Sequence, residues 1–152
     1  MSPTTSEADL QDMKARIESE LSKQKRRDDS EPDIDALTAV SVGYLEHMTS
    51  PGFSFLDDLI GKIVDIRTQL AATLVDCYLR GSRPNLTRDV YKPQFRGSVD
   101  TALKQFKRKA DEEVRETLTC MALGMWKDER DLRAARGPLA MMVVSYYVWG
   151  SD

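Results

Sequence analysis

Residues 53–80 read FSFLDDLIGKIVDIRTQLAATLVDCYLR. In this stretch Leu56, Leu59, Ile60, Ile63, Ile66, Leu70, Leu74 and Tyr78 recur at steps of three and four, the spacing that lines one face of an α-helix. Val64, Ala71, Val75 and Cys77 widen that face well past a narrow seam. A face this wide has to be covered from several sides, so the stretch is expected as the central rod of a helical bundle. Ser54 is placed to cap it, Asp57 and Asp58 fall in its first turn, and Gly81 is placed to close it as a C′ glycine.

Working back toward the N-terminus, the chain reads TSPG at residues 49–52, a sharp stop for a preceding helix. That second helix is expected to start near Pro32 or Asp33, with Ile34, Leu37, Val40, Tyr44, Leu45 and Met48 on its inner face. Residues 23–33, KQKRRDDSEPD, form a charged linker. Before it, Leu10, Met13, Ile17 and Leu21 follow at steps of three, four and four, a thin heptad-like stripe that starts from a capping-box-like Ser6. A helix this thin does not hold itself folded alone. It must lie on the body of the protein or on another copy.

Toward the C-terminus, residues 82–97 contain Pro84 and Pro93 and read as irregular, with a short helical turn beginning at Thr87. Ser98 is expected to cap a fourth helix carrying Val99, Ala102, Leu103, Phe106, Ala110, Val114, Leu118, Met121 and Met125. Its pattern continues to Arg136 and stops at Gly137-Pro138, with Gly124 a weak spot and a bend expected between Gly124 and Lys127. Residues 138–149 are nearly all apolar and rich in Val, Tyr and Trp. No other segment reads as a partner strand, and a lone strand has no ladder, so this segment is expected as a buried helix.

The resulting fold is all-α: a bundle of about five helices, with residues 1–32 as an amphipathic N-terminal helix and linker and residues 33–152 as the bundle domain. At 152 residues, 41% hydrophobic and 31% charged, the chain has enough apolar content for one core and too much charge for a membrane protein. The longest apolar run, residues 139–149, is too short to span a bilayer, and the polar acidic N-terminus is not a signal peptide. Cys77 and Cys120 sit among apolar neighbours with no metal or disulfide spacing, which points to buried free thiols and an intracellular, reducing compartment. The single histidine, His47, falls near the end of the second helix, where a cation suits the helix dipole. No catalytic set, metal site, cofactor motif or glycine-rich phosphate loop is present in the pattern, and the chain is expected to be non-enzymatic.

Charge is split along the chain. Residues 1–60 hold 13 acids against 6 bases, whereas residues 80–109 hold 9 bases against 2 acids. The bases are Arg80, Arg83, Arg88, Lys92, Arg96, Lys104, Lys107, Arg108 and Lys109, with Tyr91, Phe95 and Phe106 interleaved. Such a stretch suits an acidic protein surface or phosphates. The expected function is therefore an interaction or assembly subunit, self-associating as a homo-oligomer. Its partner-binding residues are the stripe Leu10, Met13, Ile17 and Leu21 and the tail aromatics Tyr146, Tyr147 and Trp149. Acidic and basic halves of neighbouring copies meeting head to tail would build rings or filaments. The alternative is a nucleic-acid-binding subunit of nucleocapsid type that sets the same bases on phosphates.

Glu112-Glu113-Val114-Arg115-Glu116, followed by Asp128-Glu129-Arg130-Asp131, spells E-E-x-x-E then D-x-x-D. This resembles the carboxylate signature of the all-α nucleotide pyrophosphohydrolases of the MazG type. The resemblance implies acids on two facing helices that hold Mg²⁺ over a nucleoside triphosphate. It covers about twenty residues, places Asp128 where that family has Glu, and leaves eleven residues between the halves. Exposed acids at helical spacing, paired with Arg115, Lys127 and Arg130, account for the same letters.

Overall fold

The structure, a computed structural model, describes residues 7–25, 31–48, 66–83, 86–126 and 131–151. Among them the chain forms six α-helices and no strand: α1 (Glu7–Gln24), α2 (Ile34–Met48), α3 (Ile66–Ser82), α4 (Leu86–Gln105), α5 (Glu112–Met125) and α6 (Leu132–Ser151). The all-α bundle expected from periodicity is present, with six helices in place of about five. The expected Ser6 start, the stop at residues 49–52, the Ser54 cap with Asp57 and Asp58, and the acids Asp128 and Glu129 lie outside the described residues. So do residues 53–65, the first half of the stretch on which the sequence argument turned.

The second half of that stretch is α3. Leu70, Ala71, Leu74, Val75, Cys77, Tyr78 and Leu79 are buried, while Gln69, Thr73, Asp76 and Arg80 are exposed. Thus α3 buries a broad face against α1, α2 and α5 and keeps one edge in water. The more enclosed rod is α5. Every residue from Thr117 to Gly124 is buried, and α2, α3, α4 and α6 all pack against it. Its start is set by Asp111, whose carboxylate accepts the Val114 N–H at 3.0 Å.

Two antiparallel helix pairs approach unusually closely, α2 with α6 and α3 with α5. A Cβ on Gly81 would lie 1.8 Å from the Cys120 carbonyl oxygen, and one on Gly124 would lie 1.7 Å from the Cys77 oxygen. The α2–α6 pair repeats the device: Gly43 lies against the Tyr146 carbonyl and Gly150 against the Ala39 carbonyl, with ideal Cβ positions 2.0 Å and 1.7 Å from those oxygens. On each helix the glycine lies four positions after the residue whose carbonyl the partner helix's glycine meets (Cys77 and Gly81, Cys120 and Gly124, Ala39 and Gly43, Tyr146 and Gly150), so the contacts come in reciprocal pairs. Gly81 is therefore not the C′ residue the sequence suggested. It lies inside α3, and no described glycine has positive φ. Its missing side chain is what lets α5 come close.

The helix boundaries after residue 82 also differ from expectation. Helix α4 begins at Leu86 and runs through Pro93, so Ser98 is an interior residue and not a cap. An interior proline costs about 3 kcal/mol. Here Phe95, Val99 and Leu103 on the same helix are buried, each contributing about 1.5–3 kcal/mol, and Pro93 sits on the exposed side where water can serve the freed carbonyl. Helix α6 likewise runs through Pro138, again on the exposed side, with Ala140, Val143 and Val144 buried beyond it. Its first turn is held by Asp131, which accepts the Arg133 N–H at 3.0 Å.

Between α4 and α5 the chain breaks where no break was expected. Lys107 N donates to the Lys104 carbonyl at 3.0 Å and Arg108 N to the Leu103 carbonyl at 2.9 Å, the bond pattern of a Schellman stop. The residue in the left-handed conformation is Lys107, with φ 52°. The expected bend near Gly124 is met by the end of α5 at Met125, with the Trp126 N–H closing on the Leu123 carbonyl.

The N-terminal helix belongs to the same core. Met13, Ile17 and Leu21 are buried and Leu10 packs at their edge. Polar contacts fix the helix in place: Arg16 donates to Thr68 Oγ1 at 2.6 Å, Arg67 to Asp12 at 3.1 Å, and Lys14 pairs with Asp35 at 3.4 Å. Asp33 caps α2 through the Ala36 N–H at 3.0 Å, and its own N–H donates to Thr117 Oγ1 at 2.9 Å, which ties the start of α2 to α5.

Candidate functional site

The nine bases singled out in the sequence fall into three groups. Arg80 and Arg83 lie at the end of α3, where Arg80 pairs with Asp76 at 3.1 Å and Arg83 is half-buried. Arg88 lies in the first turn of α4. Lys92 and Arg96, one turn apart on α4, face the acids of α5. Lys92 pairs with Glu116, and Arg96 reaches Glu112 at 2.6 Å, Glu116 at 3.4 Å and Asp100 at 3.6 Å. Arg115 joins from α5 through Glu112 at 2.9 Å and Asp100 at 3.7 Å. The hydrogen bond from Arg96 holds the Glu112 carboxyl below the usual carboxylate range and the Arg96 guanidinium above its own.

That network accounts for part of the acidic motif at residues 112–116. Glu112 and Glu116 are on one face of α5, but the groups facing them are Arg96, Arg115 and Lys92. Asp131, the last acid of the motif, caps α6. Among the described residues no cluster of three or more His, Cys, Asp or Glu side chains has metal-binding geometry.

The third group is different. Lys104, in the last turn of α4, and Lys107 and Lys109, on the α4–α5 turn, are exposed, and among the described residues none of them forms an ion pair. Phe106, between them, is 38% exposed. Arg108 turns the other way, donating to Ser151 Oγ with its guanidinium 6.0 Å from the centre of the Tyr147 ring. The structure therefore brings the basic turn and the aromatic end of α6 into one corner, two features that are forty residues apart in sequence. Burial pushes the Tyr147 hydroxyl up, and Arg108 opposes it more weakly.

The other sequence-derived contact residues are placed less openly. Met13, Ile17 and Leu21 are inside the core. Tyr146 packs edge-on against Tyr44, with ring centroids 5.0 Å apart, and lies 5.6 Å from the His47 ring. Trp149 is 37% exposed, with its ring 5.7 Å from His47. Cys77 and Cys120 are free and buried as expected, and burial raises both thiols, Cys120 to about 12.

Sequence reasoning missed a groove. Helices α4 and α6 run parallel and leave a channel of about 670 Å³ along their outer faces. Gln94, Ser98, Thr101 and Gln105 line one wall, Arg136 and Met141 the other, and Gly97, Gly137 and Pro138 leave it open. Arg136 donates to Gln94 Oε1 at 2.6 Å across one end. A sequence reading that ends one helix at Arg136 and treats residues 82–97 as irregular cannot place these residues side by side. A second, apolar recess of about 380 Å³ lies among Tyr44, Leu70, Leu74, Met125 and Met142.

The chain matches no protein-family model, no curated protein and no solved structure. Among the described residues no helix is long and apolar enough to cross a membrane.

Proposed function

We propose that this chain is a non-enzymatic α-helical interaction subunit that engages an anionic macromolecule through the corner formed by the α4–α5 turn and the end of α6. One observation carries the reading. Lys92 and Arg96 are neutralised by the acids of α5, yet Lys104, Lys107 and Lys109 stand exposed around Phe106 with no carboxylate of the described residues on them. Lysines clustered within six residues repel one another, and a surface of this kind gains most from an anionic partner.

The apolar stripe of α1 is engaged in the protein's own core, which favours a charged contact over an apolar helix-in-groove one. Self-association remains part of the reading through the split of charge, with the acidic half of one copy meeting this corner of the next. Sedimentation of the full chain at low and high salt, with and without RNA, tests it. A salt-sensitive complex, lost when Lys104, Lys107 and Lys109 are changed to Ala, is expected. A chain that sediments as a monomer at low salt, with and without RNA and with an acidic polypeptide, has no such surface.

A further inference from the structure

We infer that the channel between α4 and α6 is a binding site for single-stranded nucleic acid, with the basic corner at one end holding phosphates. This rests on the contact reading above and names its partner. The channel extends along α4 from Gln94 to Gln105, about 16 Å at the rise of a helix, which is room for a short run of nucleotides.

Its chemistry suits bases more than carboxylates. None of the ten lining residues is Asp or Glu, and only Arg136 is charged. Ser98 and Gln105 present a hydroxyl and an amide that both donate and accept hydrogen bonds, as base edges require. Thr101 donates to the Gly97 carbonyl at 3.0 Å and keeps an acceptor, and Gln94 keeps its amide donors beside Arg136. An acidic peptide would instead need cations along the wall.

The cations stand at the two ends. Arg136 lies at one, and Arg133 is one turn before Gly137 on the same side of α6. At the other end Lys104 follows Gly97 by seven residues and Thr101 by three, which places it on the channel side of α4. Lys107 continues past it. Among the described residues none of these four cations pairs with a carboxylate. Phe106 directly follows Gln105 and offers an exposed ring on which a base leaving the channel can stack.

Backbone geometry adds an argument at Lys107. It occupies a left-handed position, φ 52°, that glycine fills at lower energy. The lysine at this position supplies a cation at the mouth of the channel.

The test is fluorescence anisotropy of the full chain with a labelled oligouridylate of about 12 nucleotides. If four phosphates are neutralised, affinity is expected to fall about 50-fold between about 50 and 200 mM salt. Gly97→Leu plugs the channel without a clash, because nothing lies within 4 Å of a Cβ there. It should weaken binding at least about tenfold with a melting temperature no lower than wild type, and Gly97→Phe, bulkier at the same open position, is the second plug. Lys104→Ala with Lys107→Ala should roughly halve the salt slope. If both plugged variants bind as wild type while the lysine variant loses binding, the channel assignment is wrong and the corner stands. Displacement of the oligonucleotide by poly-glutamate at equal charge concentration overturns nucleic acid as the partner and leaves an acidic protein in its place. If neither polymer binds at about 50 mM salt, this site and the proposed function fall together.

Discussion

The carbonyl oxygen of Cys77 lies 1.7 Å from where a Cβ on Gly124 would be. No real Cβ tolerates that approach, so the α3–α5 crossing exists only with glycine at position 124. Its partner contact, Gly81 on the Cys120 carbonyl, is the same kind of lock on the same pair of helices. Because backbone carbonyls are the obstacle, a rotamer change cannot relieve the clash.

Glycine substitutions should therefore split by position. Gly81→Ala, Gly124→Ala, Gly43→Ala and Gly150→Ala each force two helices apart and should destabilise by about 1–3 kcal/mol or more. Gly97→Ala adds a methyl to open space on a helix and should stabilise by about 0.4–1 kcal/mol. Urea midpoints of the five single variants decide it. A Gly124→Ala protein as stable as Gly97→Ala would show that the helices do not cross as described.

At the α4–α5 turn the relevant variable is backbone conformation. Replacing Lys107 by Gly and by Ala removes the same charge, so the difference between the two variants isolates the left-handed backbone. The Gly protein should be more stable than the Ala protein by about 1 kcal/mol, or a melting difference of about 2–4 °C at this size. Equal melting temperatures would place Lys107 in an ordinary helical or extended conformation.

That turn also explains what the sequence hid. Periodicity alone identified the inner faces of α1, α2 and α3, because Met13, Ile17, Leu37, Val40, Leu70 and Leu74 repeat at helical spacing and are buried. Boundaries failed where the punctuating residues did not do their usual work. Pro93 and Gly137-Pro138 lie inside helices because they face water while larger neighbours bury, and the true stop carries Lys where Gly is the normal signal. Glycine was misread for a related reason. Its backbone freedom leaves a local trace in sequence, whereas its use as a contact surface depends on a helix distant in the chain, as Gly43 depends on Tyr146 and Gly81 on Cys120. The groove followed from those boundaries, so it was invisible until α4 and α6 were placed. The basic residues are legible in the sequence as a run of letters, but which of them an acid already answers depends on α5.

Acid should weaken the fold through two carboxylates. The hydrogen bond from Arg16 holds the Asp12 carboxyl below its usual range, and that from Arg96 does the same for Glu112. A depressed folded value means the stabilisation is complete above the ordinary carboxylate range, near pH 4, and is lost as pH falls through the folded value. Asp12→Asn and Glu112→Gln should thus be less stable than wild type at pH 7, by a small margin since both sites are solvent-screened. The gap should narrow as pH falls below the ordinary carboxylate range. A gap that stays constant across that range would mean the effect is packing and not charge.

Thiol chemistry reports on the same crossing that the glycines lock. Burial raises Cys77, with Arg80 pulling weakly the other way, and raises Cys120 to about 12. At pH 8 the thiolate fraction of Cys120 is then about 10³-fold below that of a free cysteine, so both should label slowly in the native protein, Cys120 the slower. In urea both should react within minutes. The two cysteines are also the residues whose carbonyls touch Gly124 and Gly81. Gly124→Ala should displace the backbone at Cys77 and speed its labelling at urea concentrations far below the unfolding midpoint, while Gly97→Ala should leave the rate unchanged. Mass spectrometry of the alkylated protein assigns the site. If Cys120 labels as fast in the native wild type as in urea, it is not buried between α3 and α5, and the interlocked glycine rows are not what holds those helices together.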